Sequence, residues 1–202
     1  MISVFVAPTL ITQLGVNRYG LLETGLRAPL LFAENPWGTS QLGRWSGYMM
    51  HTDFGSRLLL VHDASGVPLV MPVSHRFRHL DWVFHACMLA MIDSVSLDAR
   101  RRAWVRGQLH SLSFQRGRTA LPLSRQREIS KVLGFVLRDA RRYVEEGQEP
   151  DPSALSLELM RRLNKEANRR EDDWLHDFLL SLGISVSSML AQAPVYAVAN
   201  RC

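Results

Sequence analysis

Two His-Asp pairs are the first places in this chain where chemistry is conceivable. His51-Thr52-Asp53 and His62-Asp63 each set an imidazole beside a carboxylate. Together they could ligate a metal ion, or serve a metal-dependent hydrolase as general acid and base. Both pairs also end apolar runs, where aspartate bonds its own backbone and forms turns. In an antiparallel hairpin the end of one strand lies opposite the start of the other, so the two pairs are not expected to meet. We read Asp53 and Asp63 as turn formers and name no catalytic residue and no metal ligand. His75, His79 and His85 follow at spacings of four and six, which do not put all three on one helical face. No cysteine pair or glutamate stands at ligand spacing with them. Nucleophile motifs are missing too: there is no G-x-S-x-G, and Gly43-Arg44-Trp45-Ser46-Gly47 lacks the Lys-Ser/Thr of a phosphate loop. No cofactor is expected.

The basic residues carry a stronger signal. Lys and Arg number 24 against 19 Asp and Glu, a net charge of +5, and the pI is near 9.8. Only Lys131 and Lys165 are lysines, a bias that a GC-rich genome explains as well as a need for guanidinium forks. Arg100, Arg101, Arg102 and Arg106 decorate one helical segment around Trp104. Arg116, Arg118, Arg125 and Arg127 surround the next loop and helix start. Arg127, Lys131, Phe135, Arg138 and Arg142 recur at four, four, three and four residues, which is one helix face. A positive stripe with an aromatic in its middle suits a phosphate backbone, the ring stacking on a base. A solvated face opposite a buried stripe has the same pattern. Glu145, Glu146 and Glu149, and the acids from Glu166 to Asp173, dilute the field. No helix-turn-helix or RNA-binding signature is present. Tryptophan and arginine concentrate energy at protein interfaces, which makes Trp104 the best single anchor there, with an ordinary core tryptophan the equal alternative.

These residues need a scaffold. Residues 2–7 are β-branched and aromatic, hence a strand, and Pro8 opens a helix carrying Leu10, Ile11 and Leu14 that Gly15 closes. Residues 16–41 read as a long packed loop. Arg44–His51, Arg57–His62 and Val67–Val73 are expected strands, the second hairpin turning at Asp63-Ala64-Ser65-Gly66. Pro68 and Pro72 place the third strand at an edge. From His79 the period becomes helical through Met91, and a second helix runs from near Ser96 to Gly107. Residues 108–123 are ambiguous between strand and loop. Ser124–Glu146 is the clearest helix, burying Ile129, Val132, Leu133, Val136 and Leu137. Helices from Ser153 and over 171–182 follow, and then an apolar segment, 184–202, expected to pack. The chain reads as a single α+β domain over 1–202: a sheet-rich part (1–78), a helical part (79–183) and the C-terminal segment. Its architecture is a small, mostly antiparallel sheet packed against about four or five helices. With two unequal cysteines, no signal peptide and no membrane-length apolar run, a cytoplasmic setting is expected.

The opening ISVFVAPTLITQLGV, the LGRWSGYMM stretch from Leu42, RLLLVHD from Arg57 and the proline-ended strand after it resemble a family of uncharacterised bacterial proteins of phages and plasmids. In that family, a domain of unknown function, an L-G-x-W segment precedes a hairpin. Its later Arg-Ser-x-x-Gly-like helix start corresponds to Arg127-Glu128-Ile129-Ser130 running to Gly134, with Leu163-Asn164 further on. The likeness covers residues 1–73 and 124–165; the 16–41 stretch is longer than the pattern, and the C-terminal helices have no counterpart in it. The resemblance implies a bacterial or mobile-element setting and supplies no catalytic residues. The leading expectation is a non-enzymatic interaction protein that binds a host protein or nucleoprotein complex, for example an inhibitor of a host defence system. The alternatives are a nucleic-acid-binding protein using the arginine-bearing helix face, and a metal-dependent hydrolase built on the His-Asp pairs.

Overall fold

A computed structural model describes residues 1–16, 40–71, 80–94, 97–117, 121–142, 150–170 and 173–184. Most of the 16–41 stretch, Pro72, His75, His79, Arg118, the acids Glu145, Glu146 and Glu149, and all but Ile184 of the C-terminal segment lie outside the described residues.

The chain opens with β1 (Ile2–Val6) and α1 (Pro8–Leu14), which ends at Gly15 with a left-handed φ of 61°. The aromatic and methionine residues of WSGYMMHT form β2 (Trp45–Thr52), the continuous apolar run Leu58–Val61, buried on both faces, forms the body of β3 (Gly55–His62), and β4 (Pro68–Met71) completes a meander. Gly66, at φ 72°, supplies the turn conformation between β3 and β4. Helices α2 (Leu80–Asp93) and α3 (Ala99–Gly107) follow, α3 capped by the Asp98 carboxylate accepting from the Arg101 N–H. The ambiguous 108–123 stretch holds β5 (Leu112–Arg116), so the helical part of the chain contributes a strand to the sheet. Three helices close the described chain: α4 (Leu123–Ala140), α5 (Pro152–Glu166) and α6 (Asp173–Ser181).

The fold is α+β. Its five strands run in the order β4-β3-β2-β1-β5. The β2-β3-β4 meander is antiparallel, and β1 joins it in parallel and is itself paired in parallel with β5, so the sheet is mixed. Both faces are covered, because alternate side chains point opposite ways. Ile2, Val4, Val6, Trp45, Leu58, Leu60, Leu69 and Met71 face a first core with α2, α6 and Val105 of α3. Tyr48, Met50, Leu59, Val61 and Val70 face a second core with the apolar stripes of α4 and α5. Thus the sheet separates α3 from α4.

Candidate functional site

The His-Asp pairs do not assemble. The β2–β3 register sets His51 opposite Ser56 near the turn, and Trp45 opposite His62 at the other end. At 3.3 Å per residue the two histidines are about 20 Å apart along the hairpin. His51 is exposed, its Nδ1 2.7 Å from Ser56 Oγ. His62 is a core residue with 1% exposure, lodged between Trp45 and Phe178, each ring centroid 5.1 Å away. Its Nδ1 accepts from the Ser65 N–H at 3.3 Å, and burial pulls its pKa to about 4 against the attraction of Asp63, so the ring is neutral. Asp63 is engaged by Arg44 Nε at 2.8 Å and by the Ser46 hydroxyl at 2.6 Å. Among the described residues, no three His, Cys, Asp or Glu side chains come together. His85 is likewise internal, bonding the His110 carbonyl oxygen at 3.1 Å through Nε2.

The arginines divide into two sets on opposite faces of the sheet. On α3, Arg101 pairs with Asp98 at 3.3 Å and Arg102 with Asp93 at 3.4 Å, while Arg100 and Arg106 are exposed. Arg102 and Arg106 border a cavity of about 380 Å³ with Leu97, Ala99 and Ala103. Trp104 packs against the first core instead of standing out as an anchor. The chain thus uses half of the α3 cluster, and its tryptophan, internally.

The α4 face is different. Ile129, Val132, Leu133, Val136 and Leu137 are buried in the second core, which turns Arg127, Lys131, Phe135 and Arg138 outward, with Arg142 in the turn after the helix. Phe135 is 39% exposed, and the Arg138 guanidinium lies 4.8 Å over its ring. The neighbouring acids are occupied elsewhere: Glu128 pairs with Arg125 at 2.7 Å, and Asp139 with Arg162 of α5 at 2.9 Å and more loosely with Arg142 at 3.7 Å. Among the described residues no acid pairs with Arg127, Lys131 or Arg138.

Sequence reasoning missed the residues that fix this face in place. Arg141 donates from Nη2 to the Phe54 carbonyl at 3.0 Å and covers that ring, clamping the end of α4 to the β2–β3 hairpin tip. Tyr48 Oη accepts from the Leu121 N–H at 2.9 Å at the other end of α4. Arg162, steadied by Glu158 one turn back on its own helix, ties α5 to α4 through Asp139. Leu123, 70% exposed, heads the same outer face one turn before Arg127. Such contacts join distant segments and leave no local periodicity.

The chain matches no family model, and comparison with curated proteins and with solved structures returned no similar protein. No described helix is long and apolar enough to cross a membrane.

Proposed function

We propose that the protein is a non-enzymatic binding protein whose contact surface is the outer face of α4, and that it engages the phosphate backbone of a nucleic acid, free or within a nucleoprotein complex. The observation that carries this reading is the row Arg127, Lys131 and Arg138 standing outward around Phe135 with no acid paired to them among the described residues, continued by Arg142, which Asp139 holds only loosely. Aligned cations that no acid of the chain neutralises, as at Arg127, Lys131 and Arg138, bind phosphates by releasing their counterions. The α3 surface is the weaker choice, because Arg101 and Arg102 meet acids of their own chain.

Binding should weaken steeply with salt. Four phosphate contacts give a slope of about −3 for a single strand and about −4 for a duplex in log affinity against log salt. Arg127→Glu combined with Arg138→Glu should abolish measurable binding to a labelled oligonucleotide while leaving the thermal midpoint unchanged. Affinity that ignores both salt and this charge reversal would remove the reading.

A host-protein partner, including an inhibited defence component, is favoured by one observation: Leu123 heads the same face with 70% of its surface open to apolar contact. That reading requires capture that survives salt and is lost on Leu123→Ser. The mobile-element setting rests on the resemblance to the L-G-x-W family, and a cytoplasmic home on the sparse cysteines; both belong to this proposal.

A further inference from the structure

Resting on the nucleic-acid reading above, we propose that α4 takes single-stranded rather than duplex nucleic acid, with Phe135 stacking on a base. A helix that reads duplex DNA must enter a major groove about 12 Å wide, which a helix with its side chains fills. α4 cannot project in that way. It lies flat over the sheet, joined along one side to α5 through Asp139–Arg162 and pinned at its end to the hairpin tip through Arg141 and the Phe54 carbonyl. Its cations also form a single narrow row rather than two flanks, so they match one backbone and not the pair bounding a groove.

Phe135 supplies the second half of the argument. A duplex keeps its base faces stacked inside and offers a flat ring nothing to stack on, whereas every base of a single strand has an open face. Phe135 lies within the cationic row, one turn after Lys131 and three residues before Arg138. There, bases on a strand whose phosphates follow that row would reach it. From Arg127 to Arg142 the row spans about 22 Å at 1.5 Å per residue. A stacked strand at 3.4 Å per nucleotide covers that span with about six nucleotides.

The test uses the full chain and a labelled oligonucleotide of about twelve nucleotides, twice that footprint, alone and annealed to its complement, at fixed salt. The single strand should bind about tenfold tighter than the duplex. Phe135→Ala and Phe135→Leu should each lower single-strand affinity about tenfold, and Phe135→Trp should retain it. Both losses act at an exposed side chain, so circular dichroism should stay that of the parent. If the duplex binds as tightly as the single strand, or if Ala and Leu at 135 leave a salt-dependent affinity unchanged, the single-strand inference is overturned while the basic face stands. If neither probe binds in a salt-dependent way, the inference and the reading beneath it are both overturned.

Discussion

A methyl group at position 43 would stand 2.3 Å from His62 Nε2, on a backbone whose φ of +74° side chains rarely adopt. The imidazole cannot retreat: Ser65 holds its Nδ1, and Trp45 and Phe178 hold its faces. Gly43→Ala therefore combines overpacking with backbone strain and should destabilise the fold by about 2–4 kcal/mol. Gly66 separates the two causes, because its φ is +72° but nothing lies within 4 Å of its added Cβ. Gly66→Ala should fall by only about 1 kcal/mol. Urea midpoints for both variants decide the matter, and equal losses would show that His62 is not what excludes a side chain at 43. Glycines at 43 and 47 are recognisable from sequence as tight spots. What presses on them is not, since β-sheet pairing brings His62 to one and Val6 to the other. For the same reason the His62-Asp63 pair looks chemical in the sequence and proves structural: the aromatic wall that desolvates His62 comes partly from α6, far along the chain.

Among the elements, β4 is an edge strand that is nonetheless buried, because α5 covers it. An edge strand presents unpaired backbone groups. Pro68 already signals the edge, because it has no N–H to give a neighbour, and β4 does sit at the end of the strand order. The cover is Ser156, whose hydroxyl accepts from the Val70 N–H at 2.9 Å and donates to the Pro152 carbonyl at 2.7 Å. Ser156 and Val70 are both buried. Replacing Ser156 with alanine strands the Val70 N–H without water, a loss of about 1–3 kcal/mol. Hydrogen exchange should locate it, with Val70 losing protection while β2 amides keep theirs; unchanged exchange at Val70 would sink the idea. The amphipathic stripes of α4, α5 and α6 are legible because helical periodicity is local. Parallel pairing of β1 with β5 is not, for Ile2 meets Leu112 with no sequence pattern to announce it.

At the scale of the whole molecule, a sheet with a core on each face buries titratable groups that have no site to serve, and acid should expose them. His62, at about 4 when folded against 6.5 when free, stays neutral while the unfolded chain takes up a proton. Its contribution is complete above pH 6.5 and is lost as pH falls toward 4, roughly 3 kcal/mol by linkage. His85 is lowered in the same direction, chiefly by burial, although its bond to the His110 carbonyl opposes the shift. Asp81 works the other way. Burial raises its pKa from 3.8 to about 6 despite the Leu112 N–H and the Ser111 hydroxyl that it accepts from. The folded chain therefore gains a proton first as pH falls through 6, and this offsets part of the histidine loss down to about 3.8. Stability should thus decline from pH 6.5, where only the histidines act, and decline less steeply below 6. Denaturant midpoints measured from pH 7 to 4 check this against two variants. His62→Gln should flatten the acid decline by roughly 3 kcal/mol across that range, whereas Asp81→Asn should steepen it below pH 6 by removing the offset. Parallel curves for the parent and His62→Gln would mean that the ring titrates freely, and that the first core does not shut it from water.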